Sequence, residues 1–209
     1  ILNFVALMGW NPGTDEEIFS LDELIEKFRL DKVQKGGAVF NVEKLDWINR
    51  EYIKRMTKEE QKESIKKFLP VQISDELLDM LVPVILDRIA TFGDIKTLWE
   101  NGELSFFIEG PIYEKTLLYP KGVDDASMII THLKKVKEIL ENNVDWNAEK
   151  IKTDLWDYAS EVGRGNVLWP LRTCLTGREK SPDPFTVAEI LGKTETLKRI
   201  DTAINLLKK

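Results

Sequence analysis

Apolar positions recur along most of the chain at spacings of three and four residues, the mark of amphipathic helices. Leu2, Val5, Ala6 and Met8 form an opening helix that Gly9 ends, and Trp10-Asn11-Pro12-Gly13 reads as a turn. Ser20 with Glu23 is a capping box, opening a helix whose inner face carries Leu21, Leu24, Ile25 and Phe28. Lys35-Gly36-Gly37 is a break, after which Asn41 caps a helix bearing Leu45, Ile48, Tyr52 and Ile53. Thr57 and Glu60 form a second capping box on a short basic helix. Ser74 caps the next, with Leu77, Leu78, Leu81 and Val82. Pro83, which lacks an N–H, is expected to kink or restart it before Val84, Ile85 and Ile89. Asp94 caps one more short turn, closed by Gly102.

The pattern fails over 103–122. Ser105 to Ile108 is β-prone, and Gly110, Pro111, Pro120 and Gly122 make the rest loop-like, so a domain boundary is expected there. Helical spacing returns with Ile129, Ile130, Leu133, Val136 and Leu140, and again with Ile151, Leu155, Tyr158, Ala159 and Val162. Asp183 followed by Pro184 is a strong helix start, leading to Leu197, Ile200, Ile204 and Leu207. The fold class is all-α, with about ten helices.

Residue stock narrows the chemistry. In 209 residues there is one cysteine, Cys174, and one histidine, His132. An internal disulfide, Cys/His zinc clusters and Ser-His-Asp machinery beyond a single His are excluded. His132 has no evident partner, and Cys174 reads as a small core residue. Gly163-Arg164-Gly165 is too short for a phosphate loop and follows a helix rather than a strand. Acidic pairs such as Glu16-Glu17, Asp75-Glu76 and Asp124-Asp125 suit helix N-termini better than catalysis. No apolar run is long enough for a membrane span and no secretory leader is seen, so a reducing cytoplasm is the default expectation. The chain opens inside a helix without an initiator Met, as a fragment or processed product would.

The net charge of −6 argues against a nucleic-acid binder, but its distribution changes the picture. Residues 1–30, 31–67, 68–162 and 163–209 carry −4, +3, −9 and +4, so two basic stretches flank an acidic body. Residues 163–184 combine Arg164, Arg172, Arg178 and Lys180 with Asn166, Trp169, glycines and a Pro-rich turn. A single-stranded nucleic acid needs an apolar or stacking wall, groups that read base edges, and cations for phosphate; this stretch holds all three. The alternative is that Trp169, Leu171 and Leu175 are core and the arginines only solubilise. A protein-binding helical adaptor is a second possibility, from the acidic body and from Phe106, Phe107 and Ile108 if these are exposed.

Several strings resemble a known family. LNFVALMGWNPGTDEEIFSLDELIEKFRLDKV and AVFNVEKLDWINREYI are similar to the stem-contact region of bacterial glutamyl-tRNA synthetase. WPLRTCLTGREKSPDPF followed by ILGKTETLKRI is similar to the end of that enzyme's anticodon-binding domain. The resemblance spans essentially the whole chain, with 100–160 matching only in helical pattern and in Asp145-Trp146.

The resemblance implies a stem-contact-like helical domain at 1–67, an anticodon-binding helical subdomain at 68–122 and a second at 123–209. It implies a class I glutamate–tRNA ligase whose Rossmann domain, with HIGH-like and KMSKS-like motifs, lies outside this sequence. ATP, Mg2+ and L-glutamate would act there, leaving this fragment inactive alone, monomeric, cytoplasmic and a binder of tRNA(Glu). Some family members also charge tRNA(Gln). By the same resemblance Arg172, Ser181, Pro182 and Pro184 fall at the anticodon pocket, although the family often has a larger apolar residue where Pro184 stands. Arg88 is the candidate reader of the third anticodon base. Gly36-Gly37 replace a serine usual in the stem-contact loop. On the KLxWxN-like helix Trp47 is placed in the core, and Lys44, Arg50, Lys54 and Arg55 are candidates for phosphate contact, with Arg164, Arg178 and Lys180. The cations of the two basic segments are expected to share one surface.

Overall fold

The computed structural model describes every residue except Lys35, Gly37 and Ala38. Among the described residues it is all-helical, with ten α-helices, three short 3-10 turns and no strand beyond one isolated antiparallel bridge between Trp10 and Val33. Chain contacts gather into two units, Ile1–Thr97 and Leu98–Lys209.

The first unit opens with α1 (Leu2–Gly9) and α2 (Leu21–Lys27), the latter closed at its start by the reciprocal Ser20–Glu23 capping box. Then come α3 (Val42–Arg55), α4 (Lys58–Phe68), α5 (Asp75–Leu86) and α6 (Asp94–Glu100), which runs across the division between the units. Two small cores hold its beginning: Phe4, Ile18 and Ile48, and Trp10, Phe19 and Leu24. Buried Asn3 ties them together. Its amide donates to Glu17 O at 2.9 Å, while its Oδ1 accepts from Phe19 N at 2.8 Å and faces the Tyr52 hydroxyl at 3.1 Å. A buried polar side chain satisfied on both ends fixes α3 against α1, because leaving either end open would cost about 1–3 kcal/mol.

Three expectations change in this unit. Only Leu24 of the α2 face is buried; Leu21 and Ile25 are exposed, and Phe28, though also exposed, sets its ring 5.6 Å from that of Trp10. Trp47 is not core but 39% exposed, on the side of α3 opposite Ile48 and Ile53. Pro83 does not restart its helix: α5 runs through it, with Pro83 and Asp79, whose carbonyl loses its partner, both on the solvent side.

The second unit begins with 3-10 turns at Ser105–Phe107 and Lys115–Leu118. The β-prone run is therefore a turn, and Phe106 and Phe107 are 3% and 6% exposed, which leaves only Ile108 of the three apolar residues that motivated an adaptor at the surface. Four helices follow: α7 (Ala126–Glu141), α8 (Ala148–Val162), α9 (Arg164–Thr176) and α10 (Pro184–Leu207). α9 packs against the other three and both 3-10 turns. Its buried residues cover several sides, so it carries no amphipathic stripe and the sequence pattern does not announce it. His132, without a partner in the sequence reading, meets the Tyr158 hydroxyl at 2.6 Å and joins α7 to α8. Cys174 is fully buried, and burial pushes its thiol pKa up.

α10 is broken at Gly192, whose φ of 75° is open to glycine and strained for other residues. The break frees the Ala188 carbonyl, which accepts from the Trp146 indole N–H at 3.0 Å and from Thr196 Oγ1 at 3.3 Å. The segment before the break carries the Asp183-Pro184 start, and the segment after it carries core residues Ile200, Ala203 and Ile204.

Candidate nucleic-acid interface

The corner between α9 and α10 gathers most of the anticodon candidates. Gly177, in the left-handed region, ends α9. Asp183 caps α10 by accepting from Phe185 N and Thr186 N at 3.0 Å each. Between these two anchors lie Arg178, Lys180, Ser181 and Pro182, with Arg172 one turn back on α9. Arg172 is half-buried and its Nε is buried without a hydrogen-bond partner. A guanidinium donor left open in a protein interior is unusual. Lys180 is exposed, Ser181 and Pro182 are half-buried, and the Ser181 hydroxyl donates to Pro182 O at 2.7 Å. Pro184 is buried at the first position of α10, so it stiffens the turn rather than offering surface. Arg178 is tied back, donating from Nη1 to Asn101 O at 2.6 Å.

Arg164 is exposed at the start of α9, its guanidinium 4.3 Å from the Trp156 ring centre. Trp169 is half-buried and donates from its indole N–H to Leu117 O at 3.0 Å, a packing role.

The remaining candidates belong to the first unit. Lys44 is half-buried and paired with Glu17. Arg50 is exposed, and its Nε donates to Ile89 O at 3.2 Å. Lys54 pairs with Glu51 at 2.7 Å, a contact worth little in water. Arg55 is exposed, with no hydrogen bond or ion pair among the described residues. Arg50, Lys54 and Trp47 share the outer face of α3, since positions three, four and seven apart align on a helix. Arg88 is half-buried in the turn after α5, its N–H on Ile85 O. Gly37 and Lys35 lie outside the described residues, and Gly36 is exposed.

One residue that the sequence reading passed over organises the second unit. Arg199 is 5% exposed. It donates to Leu175 O at 2.6 Å, Phe106 O at 2.8 Å and Glu109 O at 3.3 Å, and from Nε to Glu195 at 2.9 Å. Burial raises the Glu195 pKa, but the hydrogen bonds and charges of Arg199 and Lys198 outweigh it and leave the group lowered. The available signal was a basic residue on the apolar stripe of Thr196, Ile200, Ala203 and Leu207.

The chain is an all-α protein in which Arg172 and Lys180 flank the end of α9 and the turn into α10. The family described as "Anticodon binding domain" matches residues 43–204, and the chain belongs to it. Its relatives are glutamate–tRNA ligases: that of Clostridium tetani is 38% identical over the whole chain, and that of Clostridium acetobutylicum 33%. A crystal structure of a glutamate tRNA ligase from Elizabethkingia meningosepticum, in complex with its amino acid, matches 98% of the chain with a TM-score of 0.79 and 33% identity, over 40% of its own length. The chain spans 43% of the length of those two curated relatives.

Among the described residues no three His, Cys, Asp or Glu side chains converge as a metal site would require. Among them, too, no helix is long and apolar enough to cross a membrane.

Proposed function

We propose that this chain is the tRNA-holding part of a glutamate–tRNA ligase. Residues 68–209 recognise the anticodon of tRNA(Glu), with a pocket at the α9–α10 corner, and residues 1–67 grip the stem along the outer face of α3. The division inherited from the resemblance is 1–67 for the stem, and 68–122 with 123–209 for the anticodon. ATP, Mg2+ and L-glutamate act in the rest of the protein, in the cytoplasm, and this chain alone is inactive and monomeric.

The observation that carries the anticodon assignment is half-buried Arg172, its Nε without a partner, at the end of α9 that leads into the turn exposing Lys180. The rest of the half-buried guanidinium is open to an acceptor on a base or phosphate, and charge-assisted bonds of this kind are among the stronger ones. Arg172→Ala is expected to reduce discrimination among anticodons by about 1–3 kcal/mol. Gel shifts with anticodon-swapped tRNAs measure it. Equal binding of every swapped tRNA by the unaltered chain would sink the assignment. Arg88 is retained as the proposed reader of the third anticodon base, where a strict enzyme and one that also charges tRNA(Gln) would differ.

A further inference from the structure

We propose that the loop 108–113 is a second wall of the anticodon site, receiving one unstacked nucleobase on Ile112, with Arg178 and Glu109 at the base's edge. This inference depends on the tRNA reading above and extends it to a segment with no role so far.

Ile112 is 100% exposed. A lone exposed isoleucine on a loose loop would mean little. This loop is pinned. A Cβ at Gly177 would lie 2.9 Å from Pro111 Cβ and 3.4 Å from the Tyr113 ring, so the loop is pressed onto the end of α9 where only glycine fits. Arg199 holds the Glu109 and Phe106 carbonyls on one side and the Leu175 carbonyl on the other. The apolar side chain is therefore held in water next to the turn that carries Lys180 and Ser181.

Ile112 also shares a cleft of about 240 Å³ with Arg178, Glu109 and Ser105. A splayed base requires an apolar surface for its face, and donors and acceptors for its edge. Ile112 supplies the first. The guanidinium of Arg178, of which only Nη1 is engaged by Asn101, supplies donors, and the exposed Glu109 carboxylate accepts from an exocyclic amine. A protein segment would be matched less well by this pairing of opposite charges around one apolar side chain beside Lys180.

The test uses the 209-residue chain and the isolated anticodon stem–loop of a glutamate-accepting tRNA, followed by fluorescence anisotropy. Ile112→Ser is expected to weaken binding about fivefold without changing the melting temperature, and Ile112→Leu to bind as the unaltered chain does. On stem–loops made abasic at each loop position in turn, the Ile112→Ser penalty should vanish at one position. If Arg172→Ala weakens binding and Ile112→Ser does not, the second wall is refuted and the anticodon assignment stands. If the unaltered chain shows no affinity for the stem–loop, the assignment falls and takes the wall with it. A penalty that survives at every abasic position, or an Ile112→Ser change that instead alters sedimentation of the free protein, also overturns the proposal.

Discussion

At the scale of single residues, burial decides roles that residue type leaves open. Trp47 has the size of a core residue, yet a third or more of it meets solvent. Trp47→Ala should cost less unfolding free energy than the same change at Ile48, which is fully buried and should cost about 2–5 kcal/mol. Urea unfolding of the two variants checks this, and a Trp47 cost in the Ile48 range would place the indole in a core. His132 offers a pH test. Burial lowers its pKa in the folded chain, so the unfolded chain binds the extra proton more readily. Stability is then fully present above the unfolded value near ~6.5 and declines as pH falls through it. Melting temperature should drop between about pH 7 and pH 5, and His132→Gln should flatten that slope while keeping a hydrogen-bonding partner for Tyr158. A slope unchanged by the substitution would assign it to other groups.

At the scale of elements, amphipathic helices were legible and uniform ones were not. α3, α7 and α8 follow from apolar spacing, and the Asn41 cap and the Asp124-Asp125 pair stand where two of them begin, Asn41 and Asp125 each accepting from a backbone N–H in the first turn. α9 was invisible because it is wrapped on several sides, leaving no polar face to set a period. The kink of α10 was equally hidden, since a glycine between helical stripes is compatible with a straight helix as well as a broken one. Only the backbone at Gly192 distinguishes them. Gly192→Ala should cost about 1–3 kcal/mol, because its dihedral angles lie in a region reserved for glycine. Thermal unfolding measures this, and a neutral effect would mean the helix straightens without loss. The candidate site was half legible. Resemblance located the α9–α10 corner, and the burial of Pro184, the tether on Arg178 and the anchoring by Arg199 are tertiary facts that no local pattern encodes.

For the whole molecule, charge distribution matters more than total charge. Lys54, Arg55, Arg164 and Lys180 are exposed cations in an anionic chain, two in each unit. If all four meet phosphate, tRNA affinity should fall about a hundredfold between about 50 and 200 mM salt, through release of counterions. A flat salt response, measured by filter binding, would remove phosphate contact from the account. The most direct measurement is a hydroxyl-radical footprint of tRNA(Glu) on the 209-residue chain. Protection is predicted in two separate regions, the anticodon loop and a stem, with the anticodon protection lost in Arg172→Ala and the stem protection kept. Protection confined to one region, or a stem footprint that disappears with Arg172, would contradict the division of labour between residues 1–67 and 68–209.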